Sequence, residues 1–333
     1  MRLGFRTPKP VQQQRRRHSR PALGQVKHTD KLLALTFKDN GSFHGLHRSK
    51  PPGIVNARAM GYPVRCMPIQ TDYHLHTPLC KHATGPMEAY VERAIELGLP
   101  EIGFSDHNPL PHGYGANVRM AESELDYYVQ RVLDLRVQYH GKIEIRLALE
   151  MDFVPSLETY LRQQTTRYPW DYIIGAVHYL DPECRLGAWS RECPYSVDEQ
   201  YARYFTGVRQ LAESGLCDII AHFDVVKRSG RQPSERGLAE IPVTLAAVAK
   251  AGVCLEINTS GYRHPELPEP QPYPPLPVAA EAHRRGIPLV VNSDSHAPEH
   301  VGGNFSATAE FLRRQGCQQL ARFEKRQRSF YAF

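Results

Sequence analysis

Histidines and carboxylates recur in this chain at the downstream ends of apolar, strand-like runs. His74, His76, His107, His178, His222 and His296 hold such places, His82 closely follows the first pair, and Glu150 and Asp294 fall in the same rhythm. Imidazole and carboxylate groups brought to one rim of a barrel form a site for divalent metals, and metal-assisted hydrolysis is the chemistry that site supports.

Spacing sharpens the point. His74-Leu75-His76 within a strand places both imidazoles on one face, because side chains alternate with a period of two. Asp294-Ser295-His296 and His222-Phe223-Asp224 repeat the arrangement. Each alone is commonplace: an H-x-H pair is more often a surface or satisfied pair, and a lone His107 or His178 is by default a core or surface histidine. Glu150 is stronger, because it ends the run Leu147-Ala148-Leu149 and a carboxylate there needs a partner. The joint pattern decides. Six of seven strand candidates end in a candidate ligand and the seventh ends in polar Asn258; one polynuclear metal site explains those ends together.

The strand candidates that must position these groups are 69–76, 101–107, 143–153, 172–180, 217–225, 253–259 and 288–293. Helical stripes separate them. One runs through Met87, Tyr90, Val91, Ala94 and Ile95, opened by Pro86 and closed by Gly98; another through Leu125, Tyr128, Val129, Val132 and Leu133. Further helices are expected near 156–166, 197–214, 234–251, 276–285 and 306–315. Seven such units in series imply a parallel sheet with right-handed crossovers. Runs such as Tyr172-Ile-Ile-Gly-Ala-Val177 are apolar on both faces, as a sheet covered on both sides requires. An open doubly wound sheet would accommodate them, but a barrel gathers every strand end at one rim. Pro-rich segments 108–114 and 264–277 read as loops over that rim.

Bulk properties narrow the classes. At 333 residues the chain can bury a large core, 41% of it is hydrophobic, and no apolar run approaches the roughly 20 residues of a bilayer span. Cys66, Cys80, Cys184, Cys193, Cys217, Cys254 and Cys317 are scattered without a C-x-x-C pair, which points to reduced thiols in a cytoplasm. The net charge of +6 is deceptive: residues 1–67 carry +12 and the remaining 266 carry −6. The basic character belongs to a leader, so a nucleic-acid groove is disfavoured. That leader, residues 1–66, holds Arg15-Arg16-Arg17 and only one short apolar stretch, Leu32 to Phe37. It is expected to be disordered or to reflect an over-long start, with translation beginning at Met60 or Met67; the folded domain is expected over 67–333.

The motifs Asp72-Tyr-His74-Leu-His76-Thr with His82, Phe104-Ser-Asp-His107, Leu149-Glu150, Val177-His178, Ala221-His222-Phe-Asp224 and Asn292-Ser-Asp294-Ser-His296 resemble, in order and at compatible spacing, those of the PHP (polymerase and histidinol phosphatase) superfamily. Length and the segment Ala221-His-Phe-Asp-Val-Val-Lys-Arg228 are most similar to its monofunctional histidinol-phosphatase type. The resemblance implies a distorted (β/α)7 TIM-like barrel and three divalent metals. By that resemblance the first takes His74, His76, Glu150 and Asp294; the second takes bridging Glu150 with His178 and His222; the third takes His82, His107 and His296. Ligands without thiolate suit Zn, Mn or Fe.

The expected activity is hydrolysis of L-histidinol phosphate, by attack on phosphorus of a hydroxide bridging two metals, with Glu150, Asp294 and His178 as catalytic residues. Arg228, Arg263, Lys227 and Asn258 are expected to hold the substrate, and Asp106 and Asp224 to orient ligands. Cys80 is expected to be a packing residue. The competing readings are a phosphoesterase or exonuclease on nucleotides or oligonucleotides, and a non-catalytic binding module. A binding module would show lost ligands, and none is lost.

Overall fold

The computed structural model describes residues 68–333; the leader at 1–66 and the start of the domain at 67 lie outside the described residues. Seven strands, β1 (Thr71–Leu75), β2 (Glu101–Phe104), β3 (Glu144–Asp152), β4 (Tyr172–Ala176), β5 (Ile219–Ile220), β6 (Cys254–Asn258) and β7 (Leu289–Asn292), stand side by side in chain order. All adjacent pairs are parallel. A parallel bridge between Leu75 and Ser295 joins the first strand to the seventh, through His76 N–H to Ser295 O at 3.0 Å and Ser295 N–H to His74 O at 2.9 Å. Side chains reinforce that seam: Tyr73 N–H donates to Asn292 Oδ1 at 2.8 Å, and Ser293 N–H to Asp72 Oδ1 at 2.9 Å. The expected seven-stranded α/β barrel is what the chain forms.

The helices are α1 (Met87–Leu97), α2 (Leu125–Gln138), α3 (Glu158–Arg167), α4 (Val197–Ser214), α5 (Glu235–Leu238), α6 (Glu240–Ala251), α7 (Leu276–Arg284) and α8 (Phe305–Arg314). The segment read as one helix over 234–251 is two, with Ala239 between them. β5 is far shorter than 217–225, because the chain leaves the sheet after Ile220 and turns in a 3₁₀ segment at Val225–Ser229.

Alternation along the strands divides the core into two layers. Leu147, Leu149 and Met151 of β3 pack in the larger cluster with helix residues such as Val91, Tyr128 and Leu161. Ala148, Tyr172, Ile174, Ala176, Ile219, Cys254 and Val290 form the second cluster, which fills the barrel. Glu150 shares the parity of Ala148, so β3 carries it inward. The register of β1 against β2 shifts between Asp72 and Leu75. Across that shift Tyr73 joins the inner cluster and Leu75 the outer one. A bulge of this kind re-aims side chains, here bringing His74 and His76 to the rim. Gly103 makes room below: a Cβ there would come 1.8 Å from the Tyr172 hydroxyl.

A hairpin outside the expected units, β8 (Gln319–Glu324) and β9 (Gln327–Ala332), supplies Phe323 and Ala321 to the inner cluster. Its two-residue turn, Lys325-Arg326, has φ of 51° and 63°, a geometry ordinarily signalled by Asn-Gly or Asp-Gly. Arg322 and Arg146 both meet buried Glu101, whose Oε1 also accepts from the Tyr73 hydroxyl at 2.6 Å. The hairpin thus closes the end of the barrel opposite the histidines.

Candidate metal centre

All nine candidate ligands converge where the strands end. His74 and His76 leave β1 with ring centroids 5.1 Å apart, and the His76 ring stacks on His296 at 4.0 Å. Glu150 is 1% exposed and sits in the middle. Its Oε1 is 2.8 Å from His222 Nε2 and 3.5 Å from His178 Nε2; its Oε2 is 2.9 Å from His107 Nδ1, 3.4 Å from His74 Nε2 and 3.6 Å from His76 Nε2. Asp294 Oδ1 lies 3.2 Å from His76 Nε2 and 3.8 Å from His74 Nε2. At the outer edge His82 Nε2 faces His296 Nε2 at 2.9 Å. His107 stands between neighbours, its ring 4.6 Å from that of His76, 5.3 Å from His178 and 5.6 Å from His82.

The electrostatics favour cation binding. Burial penalises the charges of Glu150 and Asp294, but the surrounding imidazoles outweigh it and hold both carboxyls well below their ordinary range. Burial pushes His107 down to about 4, leaving it neutral at pH 7, the form that ligates metals. Four buried polar atoms, His74 Nε2, His76 Nε2, His107 Nδ1 and Glu150 Oε2, have no hydrogen-bond partner among the described residues. Buried groups are rarely left so. They face one another, and a divalent cation fits their donor chemistry; groups that could hold an ion include His74, His76 and Asp294, and His107, Glu150 and His178.

Behind the candidate ligands lies a brace of acceptors that sequence reasoning missed. Glu256 Oε1 accepts from His74 Nδ1 at 2.7 Å, and Asp152 Oδ1 accepts from His178 Nδ1. Each bond fixes the tautomer and leaves Nε2 free for a cation. Both carboxylates end or interrupt apolar strands, the signal already used for Glu150. Arg119, 2% exposed, pairs with Asp152 but sits in a loop with no such mark. Asp106 lies 3.3 Å from His76 Nδ1, as an orienting group would. Asp224 instead pairs with Lys227 at 3.0 Å and bonds no candidate ligand. Cys80 is buried, with Sγ accepting from Ala83 N–H at 3.2 Å, and belongs to a group with His82 and His296 whose ligand atoms lie within 4.8 Å of one another.

The centre opens into a cleft of about 760 Å³ whose walls include Arg228, Arg263, Trp189 and Tyr179. Arg263 Nη2 donates to the carbonyls of Ser293 at 2.7 Å and Asp294 at 3.0 Å, and its Nη1 has no partner among the described residues. Arg228 lies over the Trp189 ring at 5.2 Å. Two other expected substrate contacts are placed differently. Lys227 does not line the cleft, because its ammonium is engaged by Asp224 and by Pro272 O at 2.8 Å. Asn258 is wholly buried and spends its amide on Glu256 at 3.0 Å and Asp294 at 3.1 Å.

The PHP domain family model matches residues 72–260. A curated relative from Deinococcus radiodurans, named Probable histidinol-phosphatase, is 38% identical over 253 residues, covering 74% of this chain and 93% of the relative. The Histidinol-phosphatase of Bacillus subtilis is 27% identical over 267 residues, covering 72% and 98%. In fold the chain is similar to histidinol phosphate phosphatase from Lactococcus lactis, solved with Zn, L-histidinol and phosphate. The TM-score is 0.65 and the identity 20%, over 78% of this chain and 98% of that one. The match takes in every candidate ligand from His74 to His222, and the Deinococcus likeness extends it across three quarters of the sequence: the chain belongs to the PHP domain family.

Proposed function

We propose that this chain is a phosphoric monoester hydrolase that converts L-histidinol phosphate to L-histidinol and phosphate, a step of histidine biosynthesis. The observation that carries the reading is the set of buried, unpartnered nitrogens around Glu150 Oε2. The relatives named as histidinol-phosphatases supply the substrate.

We assign His74, His76, Glu150 and Asp294 to one ion, Glu150, His178 and His222 to a second, and His82, His107 and His296 to a third, with Zn, Mn or Fe as candidates. Bound divalent ions supply Lewis acidity, lowering the pKa of a water and neutralising phosphoryl charge. The chain's own residues do the rest. Glu150, Asp294 and His178 would hold the ions beside the reacting group, while Glu256, Asp152 and Asp106 hold the imidazoles in the required tautomer. Arg228 and Arg263 stand on the cleft wall where they can take phosphoryl oxygens. The cleft is large enough for a small phosphomonoester, and Trp189 and Tyr179 are among its lining residues. A cytoplasmic setting belongs to the same proposal; the six described cysteines are free thiols.

The test is phosphate release from L-histidinol phosphate, a panel of nucleotide monophosphates and a short oligonucleotide. Selective turnover of the first, abolished by chelator and by His74→Ala, is expected. Preference for nucleotides would keep the metal centre and overturn the substrate.

A further inference from the structure

Asp152 lies two residues beyond Glu150 on the same face of β3, and its two carboxylate oxygens face different partners, one by a hydrogen bond and one by an ion pair. Oδ1 accepts from His178 Nδ1; Oδ2 is 2.5 Å from Arg119 Nη2. The same guanidinium donates from Nη1 to Asn108 O at 3.0 Å and from Nη2 to the Tyr179 hydroxyl at 3.2 Å. Asp152 N–H returns to Asn108 through its Oδ1 at 2.9 Å. The segment between Asn108 and Arg119 folds closely over this group: a Cβ on Gly115, which has φ +61°, would come 2.6 Å from the Tyr179 hydroxyl and 2.7 Å from Arg119 Nε. Gly115, Asn117 and Val118 then form one wall of the cleft.

We infer that Arg119 is a positioning residue that couples the 108–119 loop, a wall of the substrate cleft, to the metal ligand His178 through Asp152. The inference rests on the metal-dependent reading of the site. Its physical basis is the sharing of one buried carboxylate. Asp152 without a cation on its second oxygen would be a buried charge with a single neutral donor, an arrangement strongly disfavoured, so the carboxylate would rotate or take up water and His178 would lose its fixed orientation. The planar fork of Arg119 also ties the loop at Asn108 and Tyr179, which a point-charge ammonium cannot do simultaneously. Loop and ligand therefore move together.

Arg119→Met and Arg119→Lys separate the two arms. Co(II) titration of the metal-free full-length chain, followed by its visible spectrum, reads the metal centre without substrate; steady-state kinetics on L-histidinol phosphate reads the cleft. Arg119→Met is expected to weaken the binding of one ion of the set by about 10- to 100-fold and to raise KM by about 10-fold or more. Arg119→Lys, which keeps a charge beside Asp152, is expected to restore most of the Co(II) affinity while KM stays raised. Wild-type Co(II) affinity and KM in a folded Arg119→Met protein would overturn the inference. If that variant does not fold, wild-type KM in Arg119→Lys would overturn it equally, since the fork would then be dispensable. A wild-type chain that binds no Co(II) would remove the metal-dependent reading itself, and this inference with it.

Discussion

Glu256 braces two candidate ligands at once, one on β1 and one just after β5: its Oε1 is 2.7 Å from His74 Nδ1, and its Oε2 accepts the backbone N–H of His222 at 2.6 Å. The carboxylate is wholly buried, so its two acceptors have no competing water. Glu256→Gln replaces one acceptor with a donor facing a donor. The expected result is a 10- to 100-fold loss in metal affinity, with kcat falling alongside, measured by metal analysis after dialysis and by phosphate release. Retention of both would mean the brace is idle.

Chelation gives a second expectation. The stripped protein should lose phosphate release and recover it on addition of Zn, Mn or Fe. An ion present at about 100 times its Kd contributes about 2.7 kcal/mol to stability, so Tm should fall by several degrees when it is removed. Unchanged activity after verified removal would contradict the assignment of the centre.

Neighbouring cations should behave differently. Arg263→Ala is expected to lower kcat/KM by about 100-fold, equivalent to about 2.7 kcal/mol. Arg228→Ala should chiefly raise KM. Lys227→Ala should leave KM near wild type while lowering Tm, because it strands the buried Asp224. A KM defect in Lys227→Ala as large as that of Arg228→Ala would return Lys227 to the substrate.

His264 predicts a pH effect on stability. Burial, and next the nearby Arg228, push it down to about 4 from the ordinary 6.5. The unfolded chain takes up that proton more readily than the folded one, so the stabilisation present above pH 6.5 is lost as pH falls from 6.5 towards 4. Because the ring is 23% exposed, the loss should be about 1–2 kcal/mol. Denaturant midpoints of His264→Gln against wild type, from pH 7 to pH 4.5, would show a flatter slope for the variant; parallel slopes would exclude this histidine as the source.

Phe323 isolates the fold from the chemistry. It is 3% exposed, its ring 6.5 Å from Tyr73 and 6.1 Å from Tyr172. Phe323→Ala should cost about 3–5 kcal/mol by emptying the barrel floor, with kcat per folded molecule unchanged.

Much of the cluster was legible because its candidate ligands fall at strand ends, and a strand end is readable from where an apolar run stops. Glu150 stood out for its burial, and Glu256 and Asp152 carried the same mark unread: a carboxylate with apolar residues on either side, as in Leu255-Glu256-Ile257. Lys227 and Asn258 were read as substrate contacts because sequence shows nearness to the rim but not which neighbour consumes a donor. Arg119 and Asn108 meet only through the fold, in a loop without periodicity. The β8–β9 hairpin escaped because Lys325 and Arg326 adopt positive φ without the Gly or Asn that ordinarily marks such a turn.

The barrel's joint is made by few backbone bonds. Tyr73 and Asn292, 219 residues apart, are neighbours there, and among the described residues strand pairing across the joint is the Leu75–Ser295 bridge. On the proposed assignment, an ion held by His74 and His76 on one side and by Asp294 on the other would be a rivet through the first and last staves. Tethering segments so distant in sequence removes a large share of the freedom of the open chain. On that assignment the hoop and the catalyst would be one object: loss of the metal would open this joint, and amide exchange at Ser295 and His76 would be the earliest sign of it.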